Sequence, residues 1–324
     1  MNDSFDSIES TDAADALGAT DATDATDATD VQVPADPWRP RSPCGRSCLP
    51  GPAQQDRVGP LRRLLRLTAV LLACSLIVVP ALSSVAGRRR RLWVFRWWVR
   101  LVVRAMGVRV RVTPSPAGPR DTTPGLLVIN HTSLLDDLVL VGHDPARPLS
   151  KADVRRWPVI GWAAALGRTL YIDRERLSAL PGAVAGVTRA LRAGDRVFVC
   201  PEATTWCGVA GGPYRPAFFQ AALDAGVPVL PVVLRYRSAG RATTAAALVG
   251  PMSVVESVIL IVAQRDLVIE VERLAPLPAR AGSDRRSLAR AAEQAVDRAI
   301  PEVPRLRKPG SPCRPAALVA TGDG

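Results

Sequence analysis

Two histidines occur in the whole chain, which narrows any search for a general base. His131 stands in Asn130-His131-Thr132-Ser133-Leu134-Leu135-Asp136, directly after the apolar run 126–129. A His just past a strand end, entering a helix, sits where α/β folds place their sites. On a regular helix five positions turn through about 140°, so His131 and Asp136 would not meet if both were mid-helix. They meet if His131 precedes the helix and Asp136 lies in its first turn. The carboxylate then takes a hydrogen bond from one ring nitrogen and leaves the other free as a base. The same residues also read as a helix-start pair, with Asp136 a cap and dipole partner and no chemistry. His143, in Gly142-His143-Asp144-Pro145, reads as a solvated loop residue.

Other reactive types have plain readings. Cys200 and Cys207 flank the stretch 201–206 and read as small buried hydrophobes. Cys44 and Cys48, with no His or further Cys nearby in sequence, make a poor metal site. Six Cys and two His leave little room for a zinc or disulfide scaffold, so no metal is expected. Ser133 reads as a helix cap, Phe218 and Phe219 as core.

The elements that must position His131 alternate. Segments 108–112, 126–129, 169–172, 197–200, 229–234 and 267–271 have strand patterns. Segments 134–141, 154–166, 181–192, 217–225 and 287–300 have helical ones, with Gly194 and Gly226 as stops. The expected fold is α/β, one domain over 108–300, with a central mixed sheet flanked by helices.

Charge is unevenly spread. The chain carries 42 Lys+Arg against 30 Asp+Glu, but residues 1–37 hold ten acidic residues and no basic one. The rest is therefore +42 − 20 = +22, which favours a polyanionic surface as partner. Residues 1–60 read as a disordered acidic tail followed by a Pro/Arg-rich linker, and 301–324 as a flexible tail. From 67 to 87 no charge occurs, a length that covers the roughly 30 Å bilayer core. Pro80 can bend this segment. Residues 88–107 carry Arg96, Arg100 and Arg104 at four-residue spacing among Trp93, Trp97 and Trp98. Residues 61–107 thus read as a membrane segment and a basic, aromatic interfacial helix. Nucleic-acid binding would not explain the apolar run beside them. The Arg-rich flank after the run places the folded domain on the cytoplasmic side of the cell membrane.

Four segments in order carry a resemblance. They are Asn130-His131 with Ser133 and Asp136; the short strand 169–172 running to Arg174; Pro201-Glu202-Ala203-Thr204-Thr205; and Val227-Pro228 with Pro231-Val232. Together they resemble the glycerolipid acyltransferase family, which makes phosphatidic acid from lysophosphatidic acid, over about residues 92–275. The resemblance implies acyl transfer from acyl-CoA or acyl-carrier protein to the free hydroxyl of a lysolipid, 1-acylglycerol-3-phosphate first. It implies that His131 takes the hydroxyl proton, Asp136 orients His131, Arg174 holds the acceptor phosphate and Glu202 helps place the acceptor. Pro201, Ala203, Thr204 and Thr205 would line that acceptor site. No bound cofactor is implied, because the thioester is already activated. The third segment departs from the family's PEGTRS: Ala203 stands for Gly, Thr205 for Arg, Trp206 for Ser. Lys151, Arg168 or Arg215 could supply the missing charge, and another acceptor, such as lyso-ornithine lipid, is the alternative. The rival from another class is a non-enzymatic membrane or nucleic-acid binding protein.

Overall fold

The computed structural model describes residues 40–51, 55–82, 87–113, 123–280, 282–306 and 313. The acidic segment 1–37, and 307–312 and 314–324 of the expected C-terminal tail, lie outside the described residues.

Eight strands form one mixed sheet in the order β1-β8-β6-β2-β5-β3-β4, with β7 added to β6. These are β1 (Arg109–Val112), β2 (Leu126–Ile129), β3 (Ala146–Lys151), β4 (Leu170–Ile172), β5 (Arg196–Val199), β6 (Val229–Ser238), β7 (Arg241–Ala242) and β8 (Val268–Arg273). Only the β6–β7 and β6–β8 pairings are antiparallel. β2 is central, with Leu126 opposite Val197 of β5 and Val229 of β6. It reads Leu-Leu-Val-Ile without alternation because helices cover both of its faces.

Successive β2 side chains point to opposite faces. Leu127 and Ile129 pack with α3 (Arg88–Ala105) and α4 (Leu135–His143) through Phe95, Val99, Leu135 and Val139. Leu126 and Val128 pack with α6 (Leu180–Arg192), α7 (Phe219–Ala225) and α9 (Arg285–Ala299) through Val187, Leu191, Phe219 and Val296. The Asp284 side chain caps α9 by accepting from Arg286 N at 2.7 Å and Ser287 N at 3.1 Å.

Several expected elements change shape. The segment 154–166 is not one helix. A 3-10 turn at Ala152–Arg156 and α5 (Ile160–Leu166) flank Pro158, which has no N–H to carry the helix through. Three elements had no counterpart in the sequence reading: β3, the short β7 and α8 (Val254–Ala263), the last capped by Ser253 accepting from Glu256 N.

The apolar N-terminal segment is helical from Pro60, in α1 (Pro60–Ser75) and α2 (Val78–Leu82). Pro80 cannot donate to the carbonyl of Leu76, and the helix breaks there. From Pro60 to Leu82 the stretch is long and apolar enough to cross a bilayer, by length and composition. Leu61, Leu64, Leu65, Leu71 and Leu72 stand exposed. Its other side docks on the domain. Trp98 Nε1 donates to Ala73 O at 2.7 Å, and Arg66 Nη1 donates to Val262 O and Gln264 O at the end of α8. A cation at a helix C-terminus is favourably placed. Arg66 is therefore committed to protein carbonyls, and so is Arg100 of the expected basic stripe, whose Nε donates to Gly142 O at 2.7 Å. Trp93 and Trp97 stand exposed.

Two regions expected to be loose contribute to the interior. Cys44 and Cys48, read as isolated linker thiols, are buried and meet Cys207 and Cys313. Residues 304–306 pair with Gly211 through Gly211 N to Pro304 O (3.0 Å) and Leu306 N to Gly211 O (2.9 Å). That pairing carries Arg305 inside.

Candidate active site

The site begins where β2 ends. The Asn130 side chain bridges to β6, donating to Leu234 O at 2.9 Å and accepting from Leu234 N at 2.8 Å. This double bond fixes the chain as it leaves the sheet. His131 then sits in a loop tied on three sides. Its carbonyl accepts from Trp206 N (2.8 Å), its N–H donates to Glu202 Oε2 (2.9 Å), and the next carbonyl, Thr132 O, accepts from Leu248 N (2.9 Å).

Asp136 lies in the first turn of α4, as the spacing required. Its Oδ2 is 2.9 Å from His131 Nδ1 and also accepts from Thr132 N (2.7 Å) and Ser133 N (2.8 Å). The Tyr236 hydroxyl donates to the other oxygen, Oδ1. Asp136 is fully buried while the His131 side chain is 17% exposed. The cap reading and the chemical reading of Asp136 are thus both realised: one carboxylate closes the loop and faces the imidazole. With the proton on Nδ1 shared toward Asp136, Nε2 keeps its lone pair.

The electrostatics follow from burial. Burial pulls the His131 pKa down, but Cys200 and Asp136 beside the ring outweigh it and hold the imidazole well above 6.5. Cys200, read from sequence as a small buried hydrophobe, lies beside this ring. Burial pushes its thiol pKa up against the pull of His131. Burial and the Asp136 charge keep the Tyr236 phenol protonated, as a donor must be. Burial pushes Asp137 up to about 6 against the pull of His131 and Arg174.

Glu202 accepts three hydrogen bonds. Besides His131 N, it accepts from Gly212 N (3.2 Å) and from Arg305 Nη1 (2.5 Å), and it is 3% exposed. Burial pushes its carboxyl up to about 7 against Arg305 and the backbone donors. Both of its oxygens carry protein hydrogen bonds, and the residue also lines the cavity beside His131. Arg305 in turn donates Nε to Asp297 Oδ1 at 2.6 Å and stacks over Tyr214.

The remaining expected residues divide. Arg174 is exposed and donates one N–H to Ala203 O at 2.9 Å, near Asp137. Ala203 adopts φ +59, a left-handed turn that favours glycine, which explains why the family pattern has Gly there. Pro201 is buried and its carbonyl accepts from Arg215 N, while the Arg215 side chain is exposed. Thr204 and Thr205 are half-buried in the same loop. Lys151 turns onto the Trp157 ring at 4.9 Å. Arg168 is not available to replace the missing Arg, because both of its Nη atoms bond Asp195 at 3.0 Å. Among the described residues, neither Lys151 nor Arg215 makes a side-chain contact with His131 or Asp136.

A cavity of about 340 Å³ adjoins this loop, lined in part by Asn130, His131, Glu202, Trp206, Arg235 and Arg305. Trp206 Nε1 and Arg305 Nη2 are buried without hydrogen-bond partners among the described residues. Tyr236 and Arg305 are the residues that sequence reasoning missed. Tyr236 lies two positions past the strand pattern 229–234, between Arg235 and Arg237, where nothing marked it. Arg305 carried no signal either.

Comparison with known proteins decides the family. The acyltransferase family model matches residues 109–235. A lyso-ornithine lipid O-acyltransferase of Pseudomonas aeruginosa is 33% identical over 227 residues, covering 67% of this chain and 81% of that protein. The chain belongs to the glycerolipid acyltransferase family. Within it, a 1-acyl-sn-glycerol-3-phosphate acyltransferase of Neisseria gonorrhoeae is 29% identical over 183 residues, covering 56% of this chain and 71% of that one. The crystal structure of the 1-acyl-sn-glycerophosphate acyltransferase PlsC of Thermotoga maritima has the same fold, with TM-score 0.58 at 18% identity. The match covers 75% of this chain and 96% of that one.

Proposed function

We propose that this family member transfers an acyl chain from a thioester, acyl-CoA or acyl-carrier protein, to the free hydroxyl of a lysolipid. The observation that carries the reading is the accessible His131 backed at 2.9 Å by the buried Asp136. The acceptor O–H attacks the thioester carbonyl, and its proton passes to His131 Nε2. An O–C bond forms and the C–S bond breaks. The imidazolium, balanced by Asp136, then returns the proton to the leaving thiolate. The thioester is activated in itself, and this chain's residues need only orient the attack and move one proton.

Arg174 is placed to meet the acceptor headgroup, since its exposed guanidinium lies near Asp137 and has donors beyond the one on Ala203. Thr205 in place of the family Arg favours an acceptor other than lysophosphatidate, and lyso-ornithine lipid is the second reading. The exposed leucines of α1 and the exposed Trp93 and Trp97 of α3 form an apolar and aromatic surface for the cytoplasmic face of a membrane.

The test is acyl transfer from labelled acyl-CoA, and separately from acyl-carrier protein, by membranes containing the protein. Lysophosphatidate and lyso-ornithine lipid are the acceptors, and His131→Ala membranes the control. A product that needs His131 is expected. Its absence with every donor and acceptor would leave a binding protein. Product from lyso-ornithine lipid alone would assign the acceptor to the altered third segment.

A further inference from the structure

Four cysteines from three distant stretches of the chain converge outside the site just described. The sulfurs of Cys44, Cys48, Cys207 and Cys313 all lie within 4.8 Å of one another. One pair, Cys207 and Cys313, is 3.1 Å apart. A tetrahedral tetrathiolate zinc, with Zn–S near 2.3 Å, sets its sulfurs about 3.8 Å apart. The observed separations bracket that value. Disulfides would pair sulfurs two by two, whereas here each sulfur is within reach of the other three.

The local structure suits a closed metal site. Cys44 precedes and Cys48 ends a 3-10 turn at Arg46–Cys48, and three residues separate them, within the spacing that lets two thiols chelate one ion. The Cys48 carbonyl accepts from Thr244 Oγ1 at 2.7 Å, and that bond ties the turn to the domain. Trp206, Ala210, Ala247, Val249 and Met252 wall the cluster, and Cys44, Cys48 and Cys207 are 4%, 1% and 0% exposed. Three buried thiols and a half-buried fourth offer soft ligands to a metal ion.

We propose that Cys44, Cys48, Cys207 and Cys313 hold a structural zinc ion. Its place in the chain gives it a task. Cys207 follows Trp206, whose N–H holds the His131 carbonyl, and Cys313 lies eight positions after Arg305, the ion partner of Glu202. The ion therefore fastens the N-terminal linker and the C-terminal segment to the loop that positions His131. In a site of this kind the energy of metal binding is folding energy.

The test uses the full chain purified in detergent under reducing conditions without chelator. Elemental analysis should find about one zinc per chain, and X-ray absorption four sulfurs at about 2.3 Å. Cys313→Ser, and separately the double change Cys44→Ser/Cys48→Ser, should cut the zinc content about tenfold or more, as loss of a ligand from a four-ligand site requires. Cys74→Ser, outside the cluster, should leave it unchanged. If the serine variants fail to fold, a mercurial thiol reagent on the wild type decides instead: zinc should leave as four thiols react. Four results overturn the proposal. They are a folded wild type without zinc, zinc unchanged in the double variant, iron in place of zinc, and disulfides among these four residues in a non-reducing peptide map.

Discussion

Two buried carboxylates flank His131, and they are used in opposite ways. Asp136 meets the ring, and Glu202 meets the backbone. Three of Asp136's partners, His131, Thr132 and Ser133, lie within five positions of it. Glu202 reaches His131 across 71 positions and Arg305 across 103. The first carboxylate sets how tightly the imidazole holds its proton. The second sets where the imidazole stands. A short motif can do the first, because a helix start brings its members together by local geometry alone. The second needs a strap from a remote part of the chain.

This division can be broken from either side. The largest expected effect is on turnover. His131→Ala and Asp136→Asn should each lower kcat by about 10²–10⁴-fold, the usual contribution of a positioned base, with thermal unfolding little changed for His131→Ala. Loss of folding in step with loss of turnover would erase the distinction between the two carboxylates.

Arg305→Ala should act on the fold instead. It strands Glu202 without its ion partner, a change that typically costs about 3–5 kcal/mol. A double change, Arg305→Met with Glu202→Gln, should recover most of that loss in a denaturant titration. Failure to recover would mean that Arg305 acts through Asp297 or Tyr214.

Acidity sharpens the contrast further. His131 must be neutral to accept a proton, and its pKa is held well above 6.5. kcat/KM should therefore rise with pH through a range above 6.5. Stability runs the other way. The stabilisation that raises this pKa is fully present below 6.5 and is lost as pH rises through the folded value. Glu202, pushed up to about 7, adds the same sign, since its burial costs more once it ionises between about 4.5 and 7. Unfolding midpoints that increase across that range would contradict both assignments.

Smaller effects test the supports. Tyr236→Phe removes one hydrogen bond to Asp136 and should cost about 1–1.5 kcal/mol of stability, with turnover reduced far less than in Asp136→Asn. Ala203→Gly relieves a left-handed alanine at φ +59 and should raise stability by up to about 1 kcal/mol, offset by the extra freedom of glycine when unfolded. A gain in melting temperature without change in acceptor preference would assign that position to backbone shape.

The same contrast explains what could be read in advance. His131 and Asp136 were legible because their meeting depends on one helix start. The β-α alternation was legible because apolar runs such as 126–129 and 197–199 are bounded by turn residues. α8 was missed although Ser253 and Glu256 spell a helix start, because its apolar residues run without a polar face. β3 was missed because Arg147 and Pro148 interrupt its pattern. Glu202's bonds to His131 and Arg305, and the meeting of four cysteines, could not be read, since each depends on contacts between residues far apart in sequence. The chain analysed residue by residue makes Cys44 and Cys48 look alone; folded, they have two further thiols beside them.

The long reach from Glu202 to Arg305 also has a consequence in time. The ribosome adds residues at roughly 5–20 per second, so Glu202 waits about 5–20 s for a partner made 103 positions later. During that interval β2, β5 and the loop that carries His131 already exist, but the carboxylate beside them lacks its cation. The nascent domain must keep that corner wet and open until Arg305 arrives. The order of synthesis thus delays a competent site until the protein's edges are tied.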